Sequence, residues 1–177
     1  MNESNLSVLI TEGEIKSRIL ELGGELTKRF KNEKDVIAVC VLKGSMMFYS
    51  DMIRTMNVDL QCEFLGVSSY NGTTQSSGEV KLTLDLSTPV EGKHVILFED
   101  IVDTGLTMNY MKKNLSSRNP KSLTTVTLLF KPDALKTECQ LDYVGFKIPN
   151  DFVVGYGLDY QGFYRNLPYI AQVFNLN

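Results

Sequence analysis

Apolar positions along the chain alternate between short continuous runs and spacings of three or four residues. The continuous runs predict strands, at residues 36–42, 59–67, 79–86, 95–98, 123–130, 143–149, 152–159 and 169–174. The spaced positions predict helices, because side chains that recur about every 3.6 residues share one helix face. The first predicted helix follows a capping box at Thr11–Glu14 and carries Ile15, Ile19, Leu22 and Leu26 on one face. The second carries Phe48, Met52 and Met56, and the third carries Met108, Met111 and Leu115. Strands that alternate with helices predict an α/β fold with a central parallel sheet.

A polar segment at residues 68–78 separates two of the predicted strands. It is rich in Ser, Thr, Gly and Asn, and Tyr70 is its one aromatic residue. This composition predicts a mobile loop that joins the two strands, either as a functional lid or as an ordinary hairpin connection.

Length and charge restrict the class of protein. The 177 residues are enough for one domain with a substantial core. No apolar stretch approaches the roughly 20 residues that span a bilayer, and the N-terminus lacks the pattern of a signal peptide, so no membrane partner is expected. The formal net charge of −3 opposes a general nucleic-acid-binding surface. Any anionic ligand must therefore be held locally.

Cysteine and histidine usage exclude several kinds of site. Cys40, Cys62 and Cys139 are widely spaced and form no CxxC pair, which indicates reduced thiols and a cytoplasmic protein. Cys40 lies inside an apolar run and is expected to fill the core. The single histidine, His94, is expected at the surface, and its isolation excludes a His-based triad or a multi-His zinc site. Acid–base chemistry then falls to carboxylates and lysines.

The run from residue 95 to residue 107 carries the strongest functional signal. Four apolar residues lead into Glu99 and Asp100, Asp103 follows, and Thr104–Thr107 then opens a helix. A helix N-terminus after a turn of small residues binds anions, because its amide groups point outward. Three carboxylates beside such a site are explained if they hold sugar hydroxyls and a divalent cation. The alternative is an ordinary strand–loop–helix with solvated acids.

Chemically unusual residues follow four of the predicted strands. They are Lys43 and Gly44, the acids and small residues of 99–107, Lys131, and the residues of 152–159. Ligands of open α/β sheets bind beyond the carboxyl ends of the strands. The four segments are therefore expected to converge on one site.

The run at 95–107 resembles the phosphoribosyl-diphosphate-binding signature of the type I phosphoribosyltransferases: an apolar strand, Glu-Asp, two aliphatic residues and Asp-Thr-Gly-X-Thr. It departs from some members at Leu106, where a lysine can stand, although a backbone N–H at that position still serves a phosphate. Further segments resemble the purine-salvage branch, the hypoxanthine-guanine phosphoribosyltransferases; they are 41–45, Ser69-Tyr70, 128–131, 152–156 and 158–165. The resemblance covers roughly residues 36–170.

The resemblance implies a fold and a reaction. The implied fold is the type I phosphoribosyltransferase fold in a single domain, with a core at about 36–148, a hood built from the termini and mainly from 149–177, and a flexible lid at 68–78. The implied reaction transfers 5-phosphoribose from 5-phosphoribosyl 1-diphosphate to N9 of a 6-oxopurine and releases pyrophosphate, with Mg²⁺ as cofactor. The family also suggests a homodimer or homotetramer, in which the face of Phe48, Met52 and Met56 is either core or interface.

The resemblance further implies the residues that hold the sugar donor. These are Lys43, Gly44, Glu99, Asp100, Asp103, Thr104, Gly105, Leu106, Thr107 and Arg165. Glu99 and Asp100 are expected to hold ribose hydroxyls and magnesium, and Asp159 is expected to be a second magnesium contact near pyrophosphate. The Lys43–Gly44 peptide, which can be cis in the family, is expected to face pyrophosphate, where Arg165 clamps the diphosphate. Ser69 and Tyr70 are expected to contact ligand from the lid.

The remaining roles implied by the resemblance concern the purine and catalysis. Asp103 is expected to be the base facing purine N7, and Lys131 to donate to the 6-oxygen, which favours hypoxanthine and guanine over adenine. Phe152 is expected to stack on the purine, with Val153 and Asp159 beside it. Asp103, Lys131 and Arg165 are the expected catalytic residues.

Two alternatives remain open at the level of sequence. One is a phosphoribosyltransferase for another base, such as xanthine. The other is a regulator that keeps the fold and binds nucleic acid, which the charge of −3 opposes.

Overall fold

A computed structural model describes residues 5–69 and 80–174. Within these ranges the helices are α1 (Glu12–Phe30), α2 (Met46–Thr55) and α3 (Leu106–Ser116). The strands are β1 (Leu6–Ile10), β2 (Val36–Leu42), β3 (Leu60–Ser69), β4 (Val80–Leu84), β5 (His94–Val102), β6 (Ser122–Phe130), β7 (Tyr143–Lys147), β8 (Val153–Val154) and β9 (Ile170–Val173).

Six of the strands form the main sheet, in the order β4-β3-β2-β5-β6-β7. Five of them run parallel, with β2 and β5 at the centre, as the alternation of strands and helices predicted. The exception is β4, which pairs antiparallel with β3. A parallel return would need a crossover connection of about a dozen or more residues, and β3 and β4 are closer than that in the chain, since β3 ends at Ser69 and β4 begins at Val80.

Helices cover both faces of the sheet. On one face α1 and α2 pack together, and α1 buries the predicted positions Ile15, Ile19, Leu22 and Leu26 behind its Thr11 capping box. Phe48 and Met52 are fully buried there, so this helix face belongs to the core rather than to an interface. On the other face α3 buries Met108, Met111 and Leu115. Strands β2 and β5 are thus enclosed on both sides, which explains their continuous apolar sequences.

A second, smaller sheet is built from both ends of the described chain. Its order is β1-β9-β8, and all of its pairs are antiparallel. Strand β1 was not predicted from the sequence, because its continuous apolar run, Val8–Ile10, is only three residues long and the strand is half-exposed. The second sheet carries the segment that follows β8 to the edge of the main sheet, where Gly157 meets the backbone of Gly44.

The strand expected at 152–159 is shorter than predicted. Regular pairing covers only Val153–Val154, and the chain then turns through positive φ angles of 99° at Gly155, 49° at Tyr156 and 103° at Gly157. Two glycines make this backbone accessible, and a run of positive φ angles ends a strand. The residues beyond Val154 therefore lie in a compact turn.

The expectation that His94 lies at the surface is wrong. Only 7% of the residue is exposed. Nδ1 lies 2.7 Å from Ser122 Oγ, Nε2 lies 2.8 Å from Glu33 Oε2, and the ring packs edge-on against Phe30. The Ser122 hydroxyl pairs with Nδ1, and the Glu33 carboxylate lies close to Nε2 without forming a hydrogen bond with it. These two contacts make burial of the imidazole tolerable. Cys40, in contrast, is fully buried as predicted.

The predicted lid lies largely outside the described residues. Ser68 and Ser69 form the last part of β3, whereas Tyr70 and the rest of the 68–78 segment fall in the range that is not described. In the ranges 5–69 and 80–174, no helix has the length and apolar character needed to cross a membrane.

Candidate active site

The four segments expected to converge do meet at the carboxyl edge of the main sheet. Gly44, after β2, lies against the carboxylate of Asp100 in β5. Asp103, after β5, lies 3.6 Å from the Nζ atom of Lys131, the residue that follows β6. Gly157, after β8, packs on the carbonyl oxygen of Gly44. The adjacency of β2, β5 and β6 in the sheet is what brings these residues together.

The acidic pair lies at the end of β5, where Glu99 is buried and Asp100 is half-buried. Glu99 is 7% exposed, and its Oε2 atom has no hydrogen-bond partner among the described residues. Burial raises the pKa of Glu99 well above its usual value, and the neighbouring Asp100 raises it further. Burial also raises the pKa of Asp100 to about 6, although the Ile101 amide, which donates to Oδ1 at 2.9 Å, partly opposes this. Because a nearby positive charge stabilises the ionised form of a carboxyl group, two acids with raised pKa values favour a bound cation.

A substitution at Asp100 tests this burial. The folded protein holds the Asp100 proton more tightly than the unfolded chain, so the free energy of unfolding decreases as pH rises from about 4 to about 6. Asparagine has no such proton to lose. We therefore expect Asp100→Asn to raise the free energy of unfolding at pH 7.5 by ~1–3 kcal/mol when a chelator removes divalent cations. Urea unfolding at pH 7.5 and pH 4 measures this, and an equal change at both pH values would contradict the interpretation.

The loop between β5 and α3 forms a small cavity beside the acids. Its volume is about 220 Å³, and it is lined by Glu99, Ile101, Val102, Asp103, Thr104, Gly105, Thr107 and Met108. Helix α3 starts after Gly105, which has a φ of 80° and no side chain to cap the first turn. The Leu106 amide makes only a long contact, 3.5 Å, with the Thr104 hydroxyl. Amide groups at this end of α3 are thus available to an anion.

Lys131 and Asp103 form the charged pair of the site. Lys131 is 6% exposed and its amide donates to the Val102 carbonyl at 3.0 Å, which ties the end of β6 to the end of β5. The Asp103 side chain is 46% exposed. An ammonium and a carboxylate at this separation can act on neighbouring atoms of one ligand.

The backbone before α2 is shaped by close contacts. A cis peptide bond joins Leu42 to Lys43, so it lies one bond before the Lys43–Gly44 peptide named in the sequence analysis. A Cβ atom on Gly44 would overlap Asp100 Oδ2, and a Cβ atom on Gly157 would overlap the Gly44 carbonyl oxygen. Both positions therefore require glycine for steric reasons.

The C-terminal segment contributes an arginine and an aromatic ring. Arg165 Nη2 lies 2.5 Å from Asp159 Oδ1, and Nη1 donates to the Gly157 carbonyl at 2.6 Å. Phe152 is 42% exposed and meets Tyr160 edge-on at 5.7 Å, whereas Val153 is buried in β8. Among the residues described, no three His, Cys, Asp or Glu side chains form a common metal-binding group. Asp159 is thus not joined to Glu99 and Asp100 in one cluster.

Sequence reasoning missed several residues that shape the site. Ser45 is fully buried and its hydroxyl accepts a 3.0 Å bond from the Asp100 amide, which fastens the start of α2 to the acidic pair. Gly157 and the cavity-lining Ile101, Val102 and Met108 were also not assigned. Alternating Gly residues at 155 and 157 were the one available signal, because such a pattern marks turns and close backbone approach.

Comparisons with known proteins agree with the geometry. The model of the phosphoribosyl transferase domain family matches residues 12–161. The hypoxanthine-guanine phosphoribosyltransferase of Dictyostelium discoideum is 45% identical over 169 residues, which cover 94% of this chain and 94% of that protein. A crystal structure of a hypoxanthine phosphoribosyltransferase from Staphylococcus aureus superposes with a TM-score of 0.91 at 46% identity, covering 97% of this chain and 93% of the other. The Trypanosoma cruzi enzyme in complex with its product IMP gives a TM-score of 0.90 at 40% identity, covering 98% and 97%.

Proposed function

We infer the reaction from one premise: this chain belongs to the phosphoribosyl transferase family. It is a pentosyltransferase of purine salvage, which transfers phosphoribose from 5-phosphoribosyl 1-diphosphate to hypoxanthine or guanine and forms IMP or GMP and pyrophosphate. The arrangement that carries this conclusion is the adjacent pair of acids at the end of β5, the buried Glu99 and the half-buried Asp100, with Glu99 lining the cavity at the start of α3. The residue roles that follow are proposals.

The 5-phosphate of the donor is assigned to the cavity between β5 and α3. The amides of residues 104–107 and the hydroxyls of Thr104 and Thr107 donate to the phosphate oxygens. The open first turn of α3 supports this assignment, because its amide groups and helix dipole favour an anion. Binding there fixes the ribose with its C1 atom toward the acidic pair.

Glu99 and Asp100 are assigned to the ribose hydroxyls and to a magnesium ion. The fit rests on their chemistry: the buried Glu99, which has an unpartnered oxygen, and the half-buried Asp100 provide the hard oxygen ligands that Mg²⁺ prefers, with substrate oxygens completing the set. When bound, the ion stabilises the negative charge that develops on pyrophosphate. The negative charge of the pair also favours the oxocarbenium-like sugar of the transition state. Asp159 is proposed as a second magnesium contact near pyrophosphate.

The diphosphate is assigned to the space between Lys43–Gly44 and Arg165. Glycine at position 44 allows the backbone to approach the leaving group closely. Arg165 supplies a planar guanidinium with paired donors. As the C1–O bond breaks, its electron pair passes to pyrophosphate, and these groups stabilise the new charge.

The purine is assigned to Phe152, Val153, Lys131 and Asp103. Phe152 stacks on the ring, and backbone groups of Val153 read its edge. The Lys131 ammonium donates to the 6-oxygen, while the Asp103 carboxylate accepts the N7 proton as N9 attacks C1. The 3.6 Å separation of Lys131 Nζ from Asp103 Oδ2 supports two such contacts on one ring. A 6-amino group would leave the buried ammonium without an acceptor, which disfavours adenine.

A panel of bases tests the proposed reaction. With 5-phosphoribosyl 1-diphosphate and Mg²⁺, we expect pyrophosphate release with hypoxanthine and guanine, and kcat/KM values at least 100-fold lower with adenine and orotate. Xanthine belongs in the same panel, because it too carries a 6-oxygen. Absence of release with every 6-oxopurine would reject the function. Salt-sensitive retardation of DNA or RNA in a gel, without turnover, would instead favour a nucleic-acid-binding regulator.

Three further proposals concern the protein as a whole: its division into parts, its oligomeric state and its location in the cell. The division into a core at about 36–148 and a hood from the termini, mainly 149–177, is supported by the two separate sheets, whereas the lid proposed at 68–78 lies largely outside the described residues. A homodimer or homotetramer is supported by exposed apolar side chains, since Phe163 is 70% and Leu20 57% exposed; sedimentation would measure the state. A cytoplasmic location is supported by three cysteines that form no disulfide.

A further inference from the structure

The segment between β6 and β7, residues 131–142, crosses the N-terminal end of α3. We refer to it as the strap. Leu135, Cys139 and Leu141 in the strap pack into the core on the α3 face of the sheet. At its far end, the Asp142 carboxylate accepts bonds from the Thr125 amide at 2.8 Å and hydroxyl at 2.9 Å. The strap thus begins at the proposed purine contact Lys131 and passes against Thr104 and Gly105, two of the residues that line the proposed phosphate cavity.

Two side chains of α3 hold the strap by hydrogen bonds. The Asn109 carboxamide donates to Thr137 Oγ1 at 2.7 Å and to the Glu138 carbonyl at 2.9 Å. One helical turn further on, the Lys112 ammonium donates to the Gln140 carbonyl at 2.7 Å. Asn109 therefore fixes the part of the strap that lies over the start of the helix, and Lys112 fixes a part further away.

The part held by Asn109 contacts one peptide group of the phosphate cavity. The amides of Lys136 and Thr137 donate to the Thr104 carbonyl at 3.0 and 3.4 Å. Because a trans peptide is planar, the Thr104 C=O and the Gly105 N–H point in opposite directions. Fixing that carbonyl toward the strap turns the Gly105 N–H toward the opposite side. Gly105 lies between the strap and the cavity, since it lines the cavity and its Cα faces the Thr137 carbonyl and Cys139.

We propose that Asn109 is a positioning residue for the 5-phosphate: it holds the strap so that the Thr104–Gly105 peptide presents its N–H group to the phosphate. The proposal rests on the assignment of the 5-phosphate to this cavity. Asn109 acts through Thr137 and Thr104 and does not itself need to contact substrate. Without it, the apolar contacts of Leu135, Cys139 and Leu141 still attach the strap, but the orientation of the peptide becomes less defined.

The expected effect is specific to ligands that carry the phosphate. In the wild type, IMP should bind more tightly than inosine. The dissociation constant of inosine divided by that of IMP, hereafter the ratio, measures the contribution of the 5-phosphate. Asn109→Ala is expected to reduce this ratio about tenfold, because one hydrogen bond to a charged group is weakened. Inosine affinity should not change. A purely structural role would lower the thermal midpoint and leave the ratio as it is.

Two further variants separate the explanations. Thr137→Val removes one of the two Asn109 bonds in a nearly isosteric way and should reduce the ratio to an intermediate value. Lys112→Met removes a bond to the same strap, at Gln140, and serves as the matched control with an unchanged ratio. Because Thr137→Val alters few atoms, it keeps the test informative if Asn109→Ala fails to fold.

The experiment is isothermal titration of IMP and of inosine into the wild type and the three variants, with thermal unfolding in parallel. A reduced ratio in Asn109→Ala and Thr137→Val, with an unchanged ratio in Lys112→Met, supports the proposal. Ratios equal to the wild-type value in both Asn109→Ala and Thr137→Val overturn it, as does an equal reduction in Lys112→Met. A wild type that binds IMP no better than inosine would instead refute the phosphate assignment of the proposed function itself.

Discussion

Gly44→Ala should lower kcat/KM at least a hundredfold, although it adds a single methyl group. An alanine Cβ at this position would overlap Asp100 Oδ2, so either the Asp100 carboxylate or the backbone before α2 must move. Both belong to the proposed site: Asp100 faces the ribose and the cation, and the Gly44 backbone faces pyrophosphate. A displacement of about 1 Å in such a site reduces catalysis on the order of 100-fold. Steady-state kinetics with hypoxanthine measures the effect.

A second glycine provides the matched control for this substitution. Gly24 lies on the exposed side of α1, and a Cβ atom built there meets no atom within 4 Å. Gly24→Ala should leave the kinetics unchanged and raise the free energy of unfolding by up to about 1 kcal/mol, because alanine favours the helix. Normal turnover in Gly44→Ala would show that the contact between Gly44 and Asp100 has no part in the reaction.

Asp103→Asn should lower kcat by a factor on the order of 100 to 10,000. The amide has nearly the shape of the carboxylate but cannot accept the N7 proton, and it no longer pairs with the buried Lys131 ammonium 3.6 Å away. The KM for 5-phosphoribosyl 1-diphosphate should change much less, since the backbone amides of residues 104–107 remain in place. Single-turnover measurements with guanine separate the chemical step from product release.

Asp133→Asn is the control for the loss of an acid near the site. Asp133 lies in the short 3₁₀ turn Pro132–Ala134, two residues after Lys131, and is exposed. Its substitution should leave kcat within about twofold of the wild type, as is usual for surface changes. Near-normal turnover in Asp103→Asn would remove Asp103 from the role of general base.

The positions of the main site segments followed from the sequence for a physical reason. Continuous apolar runs identify buried parallel strands, and ligands bind at the carboxyl ends of such strands. Glu99, Asp103 and Lys131 each stand at or just beyond the end of a run, so their proximity could be predicted without knowledge of side-chain contacts. The resemblance to a known signature then supplied their roles.

Other features depend on partners that are distant in the chain. Ser45 bonds to an amide 55 residues away, and Asn109 to residues 28 and 29 positions away. Neither residue type is unusual for its position, so nothing local indicates the contact. His94 illustrates the same point, because its burial is made tolerable by Glu33 and Ser122 rather than by its neighbours in sequence. Strand β1 was missed because its pairing with β9 joins the two ends of the described chain.

The most direct test of the account is a crystal structure with 5-phosphoribosyl 1-diphosphate, Mg²⁺ and an unreactive hypoxanthine analogue that has carbon in place of N9. The account predicts the 5-phosphate on the amides of residues 104–107, the ribose hydroxyls at Glu99 and Asp100, and the diphosphate between Gly44 and Arg165. The analogue should then lie between Phe152 and Lys131. Density for the donor at any other edge of the sheet, with Glu99 and Asp100 free of ligand, would contradict it.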